Sequence, residues 1–298
     1  MNNDKNKVYD YITQKVLKNL ENGVVPWRKT WHGVRPHNYV SRKPYRGINP
    51  FLLEGTEFLS FKQIVALKGH VKKGAKAQMV VFWKFIDQKK KNEKGEWVVV
   101  KDAKGKNKTV PLLRYYNVFS LADVEGIPSR LTDEDKNPAL QKPEEIINGY
   151  KDGPKISHGD SNNAFYRPSD DLVNVPPKKV FEGSEEYYST FFHELVHSTG
   201  HEKRLNRKLS GFIFDNHAYS EEELVAEFGA TFLNTLCGYE QKVIGNASAY
   251  IKHWADVIKA DNTLIVHSAG KAQRAVDRIL GLDRKEEEKK TEDEGEDE

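Results

Sequence analysis

Apolar positions recur along this chain in two different rhythms. Residues 4–22 place Val8, Tyr11, Ile12, Val16, Leu17 and Leu20 at spacings of three and four, the stripe of an amphipathic helix, and Asn22 and Gly23 end it. Residues 60–69 read as a short helix, from Ser60 at the N-cap to a stop at Gly69. The period then shortens. MVVFWKFI (79–86) is β-branched and aromatic, as strands are, and RYYNVFSLADVEGI (114–127) begins as another strand. Between them, residues 87–108 are rich in Lys, Asp, Asn and Gly around EWVVV, which predicts a hairpin with a basic tip. KPYRGINPFLL (43–53) carries two prolines and Gly47, so it is expected to bend rather than run on as one element.

The rhythm breaks at residues 129–145, a polar stretch with two prolines and the composition of a linker. Beyond it, AFYRPSDDLVNVP (164–176) reads as two short strands around a turn. EEYYSTFFHELVHSTG returns to a helical apolar stripe that stops at Gly200, and SEEELVAEFGATFLNTL (220–236) is a second helix with Ser220 at its cap. From Lys285 the chain is a charge run with no apolar residue, expected to be disordered. The pattern predicts an α+β protein of two domains, 1–128 and 146–284, joined by a linker at 129–145 and followed by an acidic tail at 285–298.

Charge sharpens this division. The net charge is only +3, but residues 1–128 hold 25 Lys and Arg against 11 Asp and Glu, while the remainder holds 22 against 33. A basic first domain with many aromatic rings is a candidate for nucleic acid, although a basic face is often only solvated surface. Single strands are held by cations along the phosphates and rings against the bases. PWRKTW (26–31) interleaves Trp27 and Trp31 with Arg28 and Lys29. Arg42, Lys43, Tyr45 and Arg46 continue the mixture, and Lys72, Lys73 and Lys76 add charge. The competing reading puts Trp27 and Trp31 in the core. Cys237 is the one cysteine, so no disulfide forms within the chain. No apolar run has the length of a signal peptide core or a membrane span, so a cytoplasmic protein with no membrane partner is expected.

The candidate chemistry lies in FFHELVHSTGHEKR. On a helix, a spacing of four puts the imidazoles of His193 and His197 on one face, where both can hold one metal ion. Glu194 between them can take a proton from water. Two surface histidines flanking a glutamate are the plain alternative. A third ligand must come from elsewhere. Lys203 stands where metzincins place their third histidine, and His201 lies past Gly200, where the helix should turn away. On the second helix, Glu223 and Glu227 are four apart and share a face, and small Ala226 and Gly229 would let two helices approach closely. His217 and Tyr219 precede these glutamates and are candidates, by position alone, to stabilise a developing oxyanion.

Glu223 to Glu227, E-x-x-A-E, resembles the E-x-x-A-D of several HExxH peptidases, in which the first carboxylate binds zinc and the second orients a ligand histidine. That resemblance makes Glu223 the expected third zinc ligand and Glu227 the residue behind it, with the reverse order left open. More broadly, PWRKTW, YRGINPFLL and YYNVFSL, followed by AFYRPSDDLVNVP, HELVHSTGHEKRLNR, EEELVAEFGATFL and the stretches NASAYIKHWADVIKAD and AGKAQRAVDRIL, resemble ArdC-type antirestriction proteins in order and over nearly the whole chain. The resemblance implies an N-terminal domain that binds single-stranded DNA, a zincin-like metallopeptidase domain with one Zn2+, and a role in protecting incoming mobile-element DNA from restriction. It leaves open a protein that coats DNA without proteolysis, or a protease that clears proteins from DNA. It names no protein substrate, although a restriction-system component is one possibility.

Overall fold

A computed structural model describes residues 2–28, 34–132, 140–159, 163–207, 217–239 and 247–282. The first helix, α1 (Asn2–Glu21), buries Val8, Ile12, Val16 and Leu20 as its periodicity predicts. A four-stranded sheet follows, in the order β1 (His37–Asn38), β2 (Glu57–Ser60), β7 (Thr109–Ser120), β4 (Gln78–Asp87). Its backbone is the long antiparallel pairing of β4 with β7, in register from Gln78 opposite Val118 to Asp87 opposite Thr109. The hairpin beyond it carries the small pair β5 (Lys89–Lys91) and β6 (Trp97–Val99). Two short helices, α2 (Asn49–Leu52) and α3 (Phe61–Ala66), flank the sheet, and β3 (His70–Val71) pairs with β8 (Val124–Glu125). Ser60 caps α3 and makes a reciprocal capping box with Gln63.

The second domain begins with α4 (Pro143–Gly149). A three-stranded sheet has β10 (Phe165–Arg167) at one edge, then β11 (Leu172–Asn174), then β9 (Lys155–Ser157). Four helices complete the domain: α5 (Ser184–Ser198), α6 (His217–Cys237), α7 (Ala247–Ala260) and α8 (Leu264–Ile279). The helix bearing the glutamates starts one turn earlier than its sequence suggests. Ser220 is therefore inside the first turn and is not the cap. The presumed linker is anchored where it is described. Ser129 and Arg130 both bond the buried Glu57 carboxylate, and Gln141 N donates to Leu236 O. The acidic tail lies outside the described residues.

The two domains share one apolar core, in which Val8, Ile12 and Trp27 join residues such as Phe228, Leu233 and Trp254. Phe51 stacks on Phe232 with centroids 5.2 Å apart and planes 7° from parallel. Polar ties reinforce this seam: Thr231 Oγ1 donates to Trp27 O at 2.6 Å, Thr13 Oγ1 donates to Asn262 O at 3.0 Å, and Arg46 pairs with Asp277.

Candidate metal centre

Helices α5 and α6 meet at Gly229. A Cβ there would stand 2.6 Å from Val196 Cγ2 and 2.8 Å from Cγ1, so only glycine allows this approach without displacing Val196. Ala226 is also fully buried. This closeness brings Glu223 to the histidines of the preceding helix. His193 Nε2 lies 3.1 Å from His197 Nε2, and the two nitrogens lie 3.4 and 3.5 Å from oxygens of Glu223. All three residues offer a ligand atom within 4.8 Å of the others. Ligands bonded at about 2.0–2.1 Å around a tetrahedral ion sit roughly 3.3 Å from one another, so the donor set fits a small divalent metal. Two imidazoles and one carboxylate leave a fourth position open, and His193 and Glu223 both keep about a fifth of their side-chain surface exposed.

Electrostatics at the cluster call for a cation. Burial disfavours charge on His193, but its hydrogen bond to Glu223 and the nearby charges of Glu194 and Glu227 prevail, raising its pKa to about 9. Burial likewise works to raise the pKa of Glu223, and His193 and His197 more than offset it. Glu194, next to His193 on the same helix, is buried. The Tyr219 hydroxyl is pushed up by burial, then by the charge of Glu223 and a hydrogen bond to it, and so stays a hydroxyl donor beside the site. The side chain of His217 lies outside the described residues.

The carboxylate behind His197 is Glu222, a residue the sequence reading did not single out. Glu222 Oε1 lies 3.2 Å from His197 Nδ1, whereas Glu227 acts on His193 through its charge. Glu222 is itself gripped by Arg207, through Nε at 2.9 Å and Nη2 at 2.7 Å. Arg207 also donates to Thr199 Oγ1 at 2.7 Å and to Val196 O at 3.0 Å. Burial opposes ionisation of Glu222, but the hydrogen bonds from Arg207 and His197 outweigh it and hold its pKa at about 2. Sequence reasoning missed this pair. The HEKRLNR stretch held the signal, because arginines placed just after a helix can fold back on its last carbonyls. Arg204 does the same, donating to Ser198 O at 2.8 Å and tying the β10–β11 turn through Asp171. His201 accepts from Lys203 N at 3.2 Å and is not part of the ligand cluster.

The predicted DNA-contacting residues do not form one surface. Trp27 is fully buried, edge-on to Phe228 at 5.3 Å and to Trp254 at 6.3 Å, with its Nε1 donating to Tyr250 OH, so it cannot meet a base. Tyr45 is also buried, beside Phe58. Arg28 lies over the Tyr250 ring at 4.3 Å, and Arg46 is committed to Asp277. Arg42 bonds Arg130 O. Lys43, Lys72, Lys73 and Lys76 are exposed, with Lys72 Nζ reaching Ala122 O at 2.8 Å. Lys29 and Trp31 lie outside the described residues.

The fold and the paired helices define a zincin-like metallopeptidase domain behind a smaller basic domain. Comparison with known families gives the same division: the zincin-like metallopeptidase family matches residues 143–271, and the N-terminal domain of the anti-restriction factor ArdC matches residues 6–119. The chain thus pairs an N-terminal domain of the ArdC kind with a zincin-like metallopeptidase domain. The crystal structure of the antirestriction ArdC protein of plasmid R388 in its metal-free form superposes with a TM-score of 0.71 at 26% identity, over 93% of this chain and 99% of that one. The Mn(II)-bound form of the same protein gives 0.70 at 27% identity, over 92% and 97%. A DNA primase TraC of Escherichia coli is 29% identical over 297 residues. That alignment covers 94% of this chain but only 28% of the primase, so the chain spans less than a third of that relative. An uncharacterized protein of Sinorhizobium fredii, y4eC, is 28% identical over 286 residues and is covered for 90% of its length. Among the described residues no helix is long and apolar enough to cross a membrane.

Proposed function

We propose that this chain is an antirestriction protein that binds single-stranded DNA through its first domain and hydrolyses a peptide bond in its second. The observation that carries the reading is the convergence of His193, His197 and Glu223 at tetrahedral ligand spacing, with the buried Glu194 between the histidines. These three residues would hold the metal, and the donor set is that of catalytic zinc. When bound, the ion supplies Lewis acidity to a carbonyl and to water. Glu194 then accepts the proton of the attacking water and returns it to the leaving amine. The Tyr219 hydroxyl, which hydrogen-bonds Glu223 beside the site, would donate to the developing oxyanion. An extended peptide can add to the β10 edge, which packs against α5. Its protein substrate could belong to the restriction system.

The test compares wild type with Glu194→Gln at equal metal content, measured by elemental analysis that also decides between zinc and manganese. Both proteins are scored for protection of unmodified plasmid DNA entering a restricting host. Loss of protection in a variant that still binds metal and single-stranded DNA is the expected result. Full protection would mean that coating of DNA, without proteolysis, does the work.

A further inference from the structure

The ribbon formed by β4 and β7 has two unlike faces. Directly paired residues of an antiparallel ladder share a face. Val81, Trp83 and Leu113 therefore point one way, into the shared core, where Trp83 stacks on His267 of α8 at 5.7 Å. Val80, Phe82 and Lys84 point the other way, with Tyr116 and Arg114 opposite Val80 and Phe82. The root of this second face is covered, because Val80 and Val118 pack with Tyr45, Leu53 and Phe58. Further out the covering ends. Phe82 is half-buried, Tyr116 is 40% exposed with its ring 5.9 Å from that of Phe82, and Arg114 is exposed.

Beyond this face the ribbon runs into a tip that carries charge and an indole. Lys89, Lys90 and Lys91 form a whole strand with every side chain exposed. Opposite Lys91 stands Trp97, 66% exposed, with Lys91 Nζ 5.6 Å from its ring. Residues 84–108 hold nine lysines against four acids. An exposed indole and the exposed ring of Tyr116, joined by Phe82 on the same face, form an aromatic run that is costly to leave in water unless something covers it. Cations spaced along a ribbon together with solvent-facing rings match a polyanion whose bases are unstacked, and a duplex offers no free base faces.

We propose that the outer face of the β4–β7 ribbon and its lysine tip form the single-stranded DNA-binding arm, with phosphates on Arg114 and Lys89–Lys91 and bases on Phe82, Tyr116 and Trp97. This assignment rests on the reading that the first domain binds single strands. It replaces the buried Trp27 and Tyr45 as base platforms.

Fluorescence anisotropy of a labelled oligothymidylate of roughly 20 nucleotides, longer than a single small binding site, tests it across a salt series. Neutralising four cations (K89Q/K90Q/K91Q/R114Q) should weaken binding at least about tenfold and flatten the log–log salt slope by about 3, at roughly 0.7 per phosphate contact. Phe82→Leu, Tyr116→Leu and Trp97→Leu keep apolar bulk and should each weaken binding about tenfold, leaving the slope unchanged. Unchanged melting temperature and metal content show that the variants fold. If wild type binds and all variants keep its affinity and slope, the arm assignment is overturned while DNA binding by the first domain stands. If the slope falls but the leucine variants bind normally and duplex competes equally, the ribbon is a general polyanion surface and the single-strand assignment is overturned. If wild type binds no single strand, both readings fail.

Discussion

The α5–α6 junction and the β4–β7 ribbon place their chemistry in opposite ways. At the junction each group is fixed by another: Glu223 by the contact of Gly229 with Val196, His197 by Glu222, and Glu222 by Arg207. His193, His197 and Glu223 bring their ligand atoms within 4.8 Å of one another, and the pKa values of His193 and the neighbouring Glu222 move apart as a result. On the ribbon the charges stand apart in water, with every side chain of Lys89–Lys91 exposed. A metal centre needs convergence, so it is built on paired helices. A surface for a flexible polymer needs spread, so a strand ladder with one face left open serves it.

Three experiments press on this contrast. The largest effect is expected from the residue that the sequence placed on the wrong side of it. Trp27→Ala should cost about 3–5 kcal/mol of stability in a denaturant titration, as a buried Trp does, while folded protein keeps its affinity for single strands. A DNA defect without a loss of stability would return Trp27 to the binding surface. Next is pH. His193 has a pKa of about 9 when no ion is bound, and a metal must displace that proton. Metal affinity should therefore rise by about tenfold per pH unit up to about 9, some 100-fold between pH 6 and 8, and then level off. The same raised pKa stabilises the metal-free fold below about pH 6.5, and that contribution is lost as pH rises through about 9. Calorimetric titrations at several pH values test the slope, and a flat profile would mean His193 is neutral in the free site. The smallest effect is expected at Glu222→Gln, which keeps a partner for His197 Nδ1 but weakens the grip of Arg207. Metal affinity should fall roughly 10–100-fold with His193 and Glu223 untouched. Affinity equal to wild type would reduce the Arg207–Glu222 pair to a brace for the loop.

Much of the fold was legible where a local rule is strong. Ser60 caps its helix as expected, Met79–Ile86 is strand, and 164–176 is a hairpin. The role of Gly229 was legible because small residues on a helix have few other uses. HExxH pointed to the helix of the candidate metal site, since spacing alone puts both imidazoles on one face. What failed depended on distance in sequence. Trp27 and Arg28 look like a nucleic-acid motif, but their surroundings are Phe228, Tyr250 and Trp254, more than 200 residues away. Glu222 was not singled out because the carboxylate that reaches His197 is set by how α6 is rotated against α5, and no single-helix pattern encodes that rotation. The linker reading of 129–145 rested on composition and could not register that Glu57 holds Ser129 and Arg130.

The seam between the domains has a consequence for inheritance. Phe228 and Phe232, on the helix that carries Glu223, are roofed by Trp27 and Phe51 of the first domain. A gene fragment encoding only the peptidase half would expose that aromatic roofline and invite self-association. Recombination is therefore expected to pass the two halves on as one indivisible cassette. The alignment with the much larger TraC fits this, because it takes in nearly all of the present chain rather than either half alone.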